Sequence, residues 1–271
     1  MTLSSIAFVG GGNMAGALIG GLLRSGWSAE AVAVVEPSAA QRETLASRFG
    51  VRTIAEADAT LGRADCVVWA VKPQLFKAAA APCAAHVGRA LQLSVMAGIR
   101  SDAIALATGS DRVVRAMPNT PALIGEGMSG LFARASVSAE ERAQVEKLLA
   151  PTGQTLWVDR EEQLDAVTAM SGSGPAYVFY LLEAWIEAGT TMGLSATQAR
   201  QLAMATLAGA TSLARDSDET PAMLRERVTS KGGTTHAAIT SLEADGVRAA
   251  FVRALKAAEQ RAGELGDEFG R

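Results

Sequence analysis

The sequence predicts a two-part α/β protein: a doubly wound parallel sheet in the N-terminal part, followed by an all-α part. Three observations carry this expectation. Short, continuous apolar runs alternate with helical stretches through residue 158, the pattern of parallel strands covered on both faces. From Gln163 onward only helical patterns follow. A glycine-rich turn joins the first apolar run to the first helix, as in sheets that bind nucleotides at a strand–helix turn. The expected parts are residues 1–164 and 165–271.

The strands are expected at 6–9, 32–36, 66–71, 91–96, 113–117 and 154–158, with helices at 13–25, 38–49 and 76–87 between them. Gly26 and Gly50 stand where helix stops belong. Ser138 with Glu141 reads as a capping box opening a helix to Leu149. In the second part, helices are expected at 164–192 (interrupted by glycine and proline), 195–215, 221–228, 234–244 and 247–265. Ser195 with Gln198 is a second capping box, and Thr220 with Pro221 supplies a cap and a first-turn proline. Val247, Phe251, Leu255, Ala258, Ala262 and Leu265 form one apolar stripe. Alone, this helical part buries little, so a homodimer built on it is expected, the alternative being that it packs only on its own first domain.

Composition narrows the class. The 271 residues carry a formal charge of −3 and are 49% hydrophobic, with no basic surface for nucleic acid. The 27 glycines cluster in short motifs rather than at a fixed period, unlike collagen or disordered chains. Cys66 and Cys83 form no CxxC, so no metal site is expected and packing in a reducing compartment is. The chain opens without a basic, apolar leader, and Glu183 and Glu187 interrupt its longest apolar stretch. A cytoplasmic protein outside the membrane is the expectation.

Several motifs bear chemistry. Gly10-Gly11-Gly12-Asn13-Met14-Ala15 reads as GxGxxA between strand and helix. Gly10 would make the turn, Gly12 would admit a pyrophosphate, and the amides of Asn13 and Met14 would face it, which makes the first part a Rossmann domain. Glu36 closes the second strand. There an acid hydrogen-bonds the adenosine ribose and repels a 2′-phosphate, which leans the choice between NADH and NADPH towards NADH. The alternative is that Pro37 turns Glu36 out to solvent. Ala70, Lys72 and Pro73 stand at the end of the expected strand 66–71 and should border the cofactor, with Lys72 as contact, proton source or plain surface charge. Asn119, in Met117-Pro118-Asn119-Thr120-Pro121, sits in a stiff loop at the same edge. Ser171-Gly172-Ser173-Gly174-Pro175 permits close approach of a ligand or of another helix. Ser230, Lys231, Gly232, Gly233, Thr234 and Thr235 precede or open a helix, either as an anion cradle or with one threonine as its cap.

FVGGGNMA, AVKPQ, RAMPNTP, SGSGPAYVFYLLEA and VTSKGGTTHAAI, in this order and spacing, resemble the pyrroline-5-carboxylate reductases, over essentially the whole chain. The resemblance implies NADPH- or NADH-dependent reduction of 1-pyrroline-5-carboxylate to L-proline, the last step of proline biosynthesis. It implies a helical dimerisation domain, homodimers and, in many members, decamers of five dimers. Carried over by motif, Gly12, Asn13, Met14, Ala70, Lys72 and Pro73 would meet the cofactor. Asn119 would shape the pocket, and residues 230–235 of the dimer partner would hold the substrate, with Thr235 beside the imine nitrogen. The chain departs from the pattern at Val35-Glu36-Pro37, where many members carry residues suited to NADPH. Dehydrogenases of the β-hydroxyacid type also join a Rossmann domain to helices, but they need a helical-domain lysine as acid and base. Here only Lys231 and Lys256 lie beyond residue 147, one in the glycine loop and one on a polar helix face. A regulatory protein that binds the cofactor without turnover is the remaining alternative.

Overall fold

The structure, a computed structural model, describes residues 3–269. An eight-stranded sheet runs in the order β3-β2-β1-β4-β5-β6-β7-β8. Its strands are β1 (Ile6–Val9), β2 (Val32–Val35), β3 (Arg52–Ile54), β4 (Cys66–Trp69), β5 (Leu91–Ser94), β6 (Val113–Met117), β7 (Gly127–Ala133) and β8 (Gly153–Trp157). Strands β1 to β6 are mutually parallel, β7 is antiparallel to β6, and β8 is parallel to β7.

Alternation along the strands makes two cores, one on each face. Ile6 and Phe8 join Leu18, Ile19 and Leu22 of α1 (Asn13–Arg24), Leu45 of α2 (Ala39–Phe49) and Val145. Ala7 and Val9 point the other way, towards Phe76 of α3 (Phe76–Ala80), Val87 of α4 (Ala84–Val87) and Ile104 of α5 (Ser101–Thr108). Gln92, inside an apolar run, is satisfied where it is buried: its amide accepts from Trp69 Nε1 at 2.9 Å and donates to the carbonyls of Val87 and Ala90. α6 (Ala139–Leu149) starts on the Ser138–Glu141 capping box, as expected.

The differences from expectation have local causes. β3 is three residues long and opens on an exposed arginine, too little pattern to stand out. β7 carries Gly127 and Gly130, because a Cβ there would lie 2.6 Å from Thr152 O and from Val167 Cγ1 respectively. The expected helix 76–87 is split into α3 and α4 at the Ala81-Pro82 step, where proline removes a helical donor. α5 was not anticipated at all.

The remaining helices are α7 (Gln163–Val167), a π turn at Thr168–Gly172, then α8 (Gly174–Thr191), α9 (Ala196–Arg215), α10 (Pro221–Arg227), α11 (Thr234–Ala244) and α12 (Val247–Phe269). Pro175–Ala257 forms one compact unit, and the rest of the described chain forms the other. The sheet unit thus runs past the 164/165 boundary read from the sequence, because the segment 161–171 is tied to the sheet by ion pairs and hydrogen bonds. In the helical unit, α9 starts on the Ser195–Gln198 capping box and α10 on Thr220. Gly189 of α8 lets Ala199 approach so closely that a Cβ would lie 2.6 Å from it. The unit buries few large side chains: Phe179 is 59% and Tyr180 73% exposed, and Trp185, Leu202 and Val252 are also open. Among the described residues, no helix is long and apolar enough to cross a membrane.

Candidate active site

In the sheet unit, the loops after β1, β2, β4 and β6 gather at the carboxyl edge, where α/β sheets bind ligands. Gly10 turns the chain at φ +96°, and a Cβ on it would lie 2.7 Å from Ala70 O and 2.9 Å from Val71 Cγ1. Only glycine lets the β1 and β4 loops meet so closely. Gly12 is the N-cap of α1, in ordinary extended geometry, and a Cβ there would meet nothing within 4 Å. No side chain caps α1, so its first amides remain open to an anion. By contrast α2, α6, α9 and α10 are capped by serine or threonine hydroxyls.

Glu36 turns inward, not out to solvent. Its Oε2 accepts the Gly11 N–H and its Oε1 the Ser38 N–H, each at 2.9 Å. Gln41 Nε2 donates to Gly11 O from the other side, and Arg42 Nη1 donates to the carbonyls of Glu36 and Pro37. The glycine turn is therefore clamped by the turn after β2, with a carboxylate at its rim. A cleft of about 530 Å³ opens beside it, lined by Gly10, Pro37, Glu56, Val71, Leu75 and Ala79 among others. Ala55, Glu56 and Ala57, just after β3, form one wall of it. These features fit a dinucleotide: an open helix start for its phosphates, a carboxylate at the ribose position, and an apolar cleft for a base.

Ala70 hydrogen-bonds back to β1, its N–H donating to Val9 O at 2.9 Å. Lys72 is exposed and Pro73 opens a short turn after it. Asn119 binds protein on every side: its Nδ2 lies 3.3 Å from Ser171 O and Oγ, and its Oδ1 accepts the Met128 N–H at 2.9 Å. Asn119 is thus braced between the π turn and β7. That turn is closed by the Ser173 N–H donating to Thr168 O at 2.8 Å, and Gly172 faces Met117, whose Cε would lie 2.6 Å from an added Cβ. Bulges of this kind re-aim a helix where function or packing requires it. Cys83 lines the cleft and Cys66 sits in β4, and burial pushes their thiols up to about 11 and about 12. Burial thus disfavours the thiolate at both. Among the described residues, no group of three or more His, Cys, Asp or Glu side chains is placed to hold a metal.

In the helical unit, the backbone excludes a threonine cap for the helix that residues 230–235 open. The N-cap of α11 is Gly233, with no side-chain cap, and Thr234 and Thr235 lie inside the first turn. Gly232 adopts φ +75°, and the Gly233 N–H closes the loop onto Ser230 O at 3.0 Å. Ser230, Lys231, Gly232 and Thr234 are exposed, whereas Gly233 and Thr235 are half-buried. Thr229 fastens the loop to the end of α10 through Arg225 O, and Arg225 reaches Glu243 of α11 at 3.8 Å. The result is a second glycine-started helix with free amides and hydroxyls beside them, suited to a carboxylate. His236 is exposed.

A doubly wound sheet with a glycine turn feeding an uncapped helix, and an acid after β2, defines a Rossmann-type nicotinamide-dependent oxidoreductase. Comparison with known proteins narrows this. Residues 161–265 match the family model for pyrroline-5-carboxylate reductase dimerisation, and residues 5–98 match a model described as NADP oxidoreductase, coenzyme F420-dependent. The chain is 45% identical to the pyrroline-5-carboxylate reductase of Pseudomonas aeruginosa over all of both chains, and 40% identical to that of Haemophilus influenzae over 96% of this chain and 97% of the other. A solved pyrroline-5-carboxylate reductase from Coxiella burnetii superposes with a TM-score of 0.91 at 36% identity, covering 97% of this chain and 99% of that one. The Plasmodium falciparum pyrroline carboxylate reductase, solved with NADP bound, gives 0.87 at 26% identity over 98% and 99%. The chain belongs to the pyrroline-5-carboxylate reductase family.

Proposed function

We propose that this chain reduces 1-pyrroline-5-carboxylate to L-proline with NADH or NADPH, the last step of proline biosynthesis. The observation that carries the reading is the pair of glycine-started, uncapped helices, one in a dinucleotide-binding frame and one flanked by threonine hydroxyls. When bound, the reduced nicotinamide supplies the hydride that adds to the imine carbon. The chain's own residues bind and orient. The amides of α1 from Asn13 hold the pyrophosphate, while Ala70, Lys72 and Pro73 border the nicotinamide side, and Asn119 walls the pocket. The amides at the start of α11, with Ser230, Lys231, Gly232 and Gly233, take the substrate carboxylate without a buried cation. Thr235 holds its hydroxyl at the ring nitrogen as the imine becomes a secondary amine. A protonated imine from solution needs no further acid, so positioning dominates the catalysis.

The exposed apolar side chains of the helical unit and the match to a dimerisation model support a homodimer. The loop 230–235 of one subunit would then meet the cofactor of its partner, and five such dimers would make the decamer seen in many members. The cytoplasm is the expected location. The inward Glu36 carboxylate supports NADH, because a 2′-phosphate would approach a fixed negative charge.

The test is loss of nicotinamide absorbance with pyrroline-5-carboxylate, run with NADH and NADPH in parallel. Turnover with a higher kcat/KM for NADH is expected. Binding of both cofactors without turnover would replace the enzyme with a regulatory protein, and a clear NADPH preference would remove the role given to Glu36.

A further inference from the structure

The segment between the sheet and α8 is fastened at its start to β6 and at its end to the loop that follows β6. At its start, Glu161 Oε1 accepts from Arg115 Nη1 at 2.7 Å and from the Ser101 N–H at 2.6 Å, and its Oε2 accepts the Ser101 hydroxyl at 2.6 Å. At its end, Ser171 meets Asn119. Between them, Asp165 pairs with Arg100 at 3.0 Å, and Arg100 lies against the backbone of Gly266, where a Cβ would be 2.7 Å from its Nη2. The spans match. Four residues from Arg115 to Asn119 cover about 13 Å as extended chain, and ten largely helical residues from Glu161 to Ser171 cover about 15 Å. The segment therefore bridges Arg115 and Asn119, its two ends held at these residues.

Arg115 is 4% exposed, so its partner is confined to one place. Burial lowers the affinity of its guanidinium for its proton, and the Glu161 charge works against that. A shift of Glu161 along the strand would carry the whole segment with it, because the tie at 165 sits on α7 and the tie at 171 on the π turn that continues α7 directly. The atoms that would move are those of the Asn119–Ser171 wall.

We propose that Glu161 is a positioning residue for the reaction: its contacts with Arg115 and Ser101 set the register of the segment 161–171 and so the place of the Asn119–Ser171 wall. This rests on the site reading above. Glu161 touches neither substrate nor cofactor in this role, and the α1 cradle is independent of it.

Glu161→Asp keeps the charge opposite Arg115 and shortens its arm by one methylene. kcat should fall about tenfold or more, as ångström-scale misplacement does, with the Kd for NADH and NADPH unchanged. Combined with Asn119→Ala, the losses should not multiply, because both act through one wall. Glu161→Gln, which keeps the arm's length, should restore part of kcat. If Glu161→Asp does not fold, as circular dichroism will tell, Ser101→Ala removes one anchor, leaves both ion pairs, and is read in the same way. Unchanged kcat beside a slow Asn119→Ala enzyme, or losses that multiply in the double variant, overturns the positioning role alone. An Asn119→Ala enzyme with full kcat overturns the site reading and this role with it.

Discussion

Gly10 and Gly12 belong to one turn and should fail in opposite ways. Alanine at Gly10 must adopt φ +96°, a left-handed conformation costing a residue with a Cβ about 1–2 kcal/mol. Its Cβ would also press on Ala70 O at 2.7 Å and on Val71 Cγ1 at 2.9 Å, an overpacking of about 1–3 kcal/mol. Together Gly10→Ala should lose about 2–5 kcal/mol, a large share of the stability of an ordinary domain. Alanine at Gly12 meets nothing within 4 Å at φ −72°, so only the poorer N-cap remains, at most about 1 kcal/mol. Its methyl would stand where a pyrophosphate must approach the backbone, and a loss of about tenfold or more in cofactor affinity corresponds to at least about 1.4 kcal/mol. Denaturant unfolding and fluorescence titration with NADH, run on both variants, separate the two effects. Native cofactor affinity in Gly12→Ala would refute the cradle, and native stability in Gly10→Ala would refute the strain argument.

Thr235→Ala should lower kcat/KM for the imine tenfold to a thousandfold, about 1–4 kcal/mol of transition-state stabilisation. Its melting temperature should hardly move, and steady-state kinetics equal to those of the parent would take Thr235 out of the mechanism. Glu36→Gln should raise the NADPH/NADH ratio of kcat/KM by about tenfold, the order of one charge removed from a partly wet site, and an unmoved ratio would contradict the repulsion. Asp65 is a stability group. Burial works to raise its pKa, but hydrogen bonds from Ser4 and Ser5 outweigh it and hold the carboxyl below its ordinary value. Its contribution is therefore present above the unfolded carboxyl pKa of about 4 and lost as pH falls through the lower folded value. Acid titration of unfolding should show that loss in the parent and not in Asp65→Asn.

What could be read in the sequence was whatever a single segment decides for itself. β1 and β4 are wholly buried, and their unbroken apolar runs say so. The capping boxes at Ser138 and Ser195 are local hydrogen bonds. Gly10 and Gly12 were legible through the turn they make. The illegible parts are decided by distant residues. Gly130 stands in β7 because Val167 presses on it, and Gly172 faces the Met117 side chain. Glu36 could be placed at a strand end, but its choice between solvent and the glycine turn depended on Gly11 and Ser38 lying within reach. Residues 230–235 left cradle and cap open until the backbone made Gly233 the cap. The ties of Glu161 and Asn119 join residues far apart in the chain, and no periodicity records them.

The two helices whose N-cap is glycine, α1 and α11, carry a further consequence. A dock made of backbone amides holds no proton that comes and goes near neutrality, unlike one made of histidine or lysine. Its attraction for an anion stays level while the medium acidifies or turns alkaline, and only the guest's own ionisation registers. It lasts as long as Gly12 and Gly233 keep the two helix starts bare of a capping side chain.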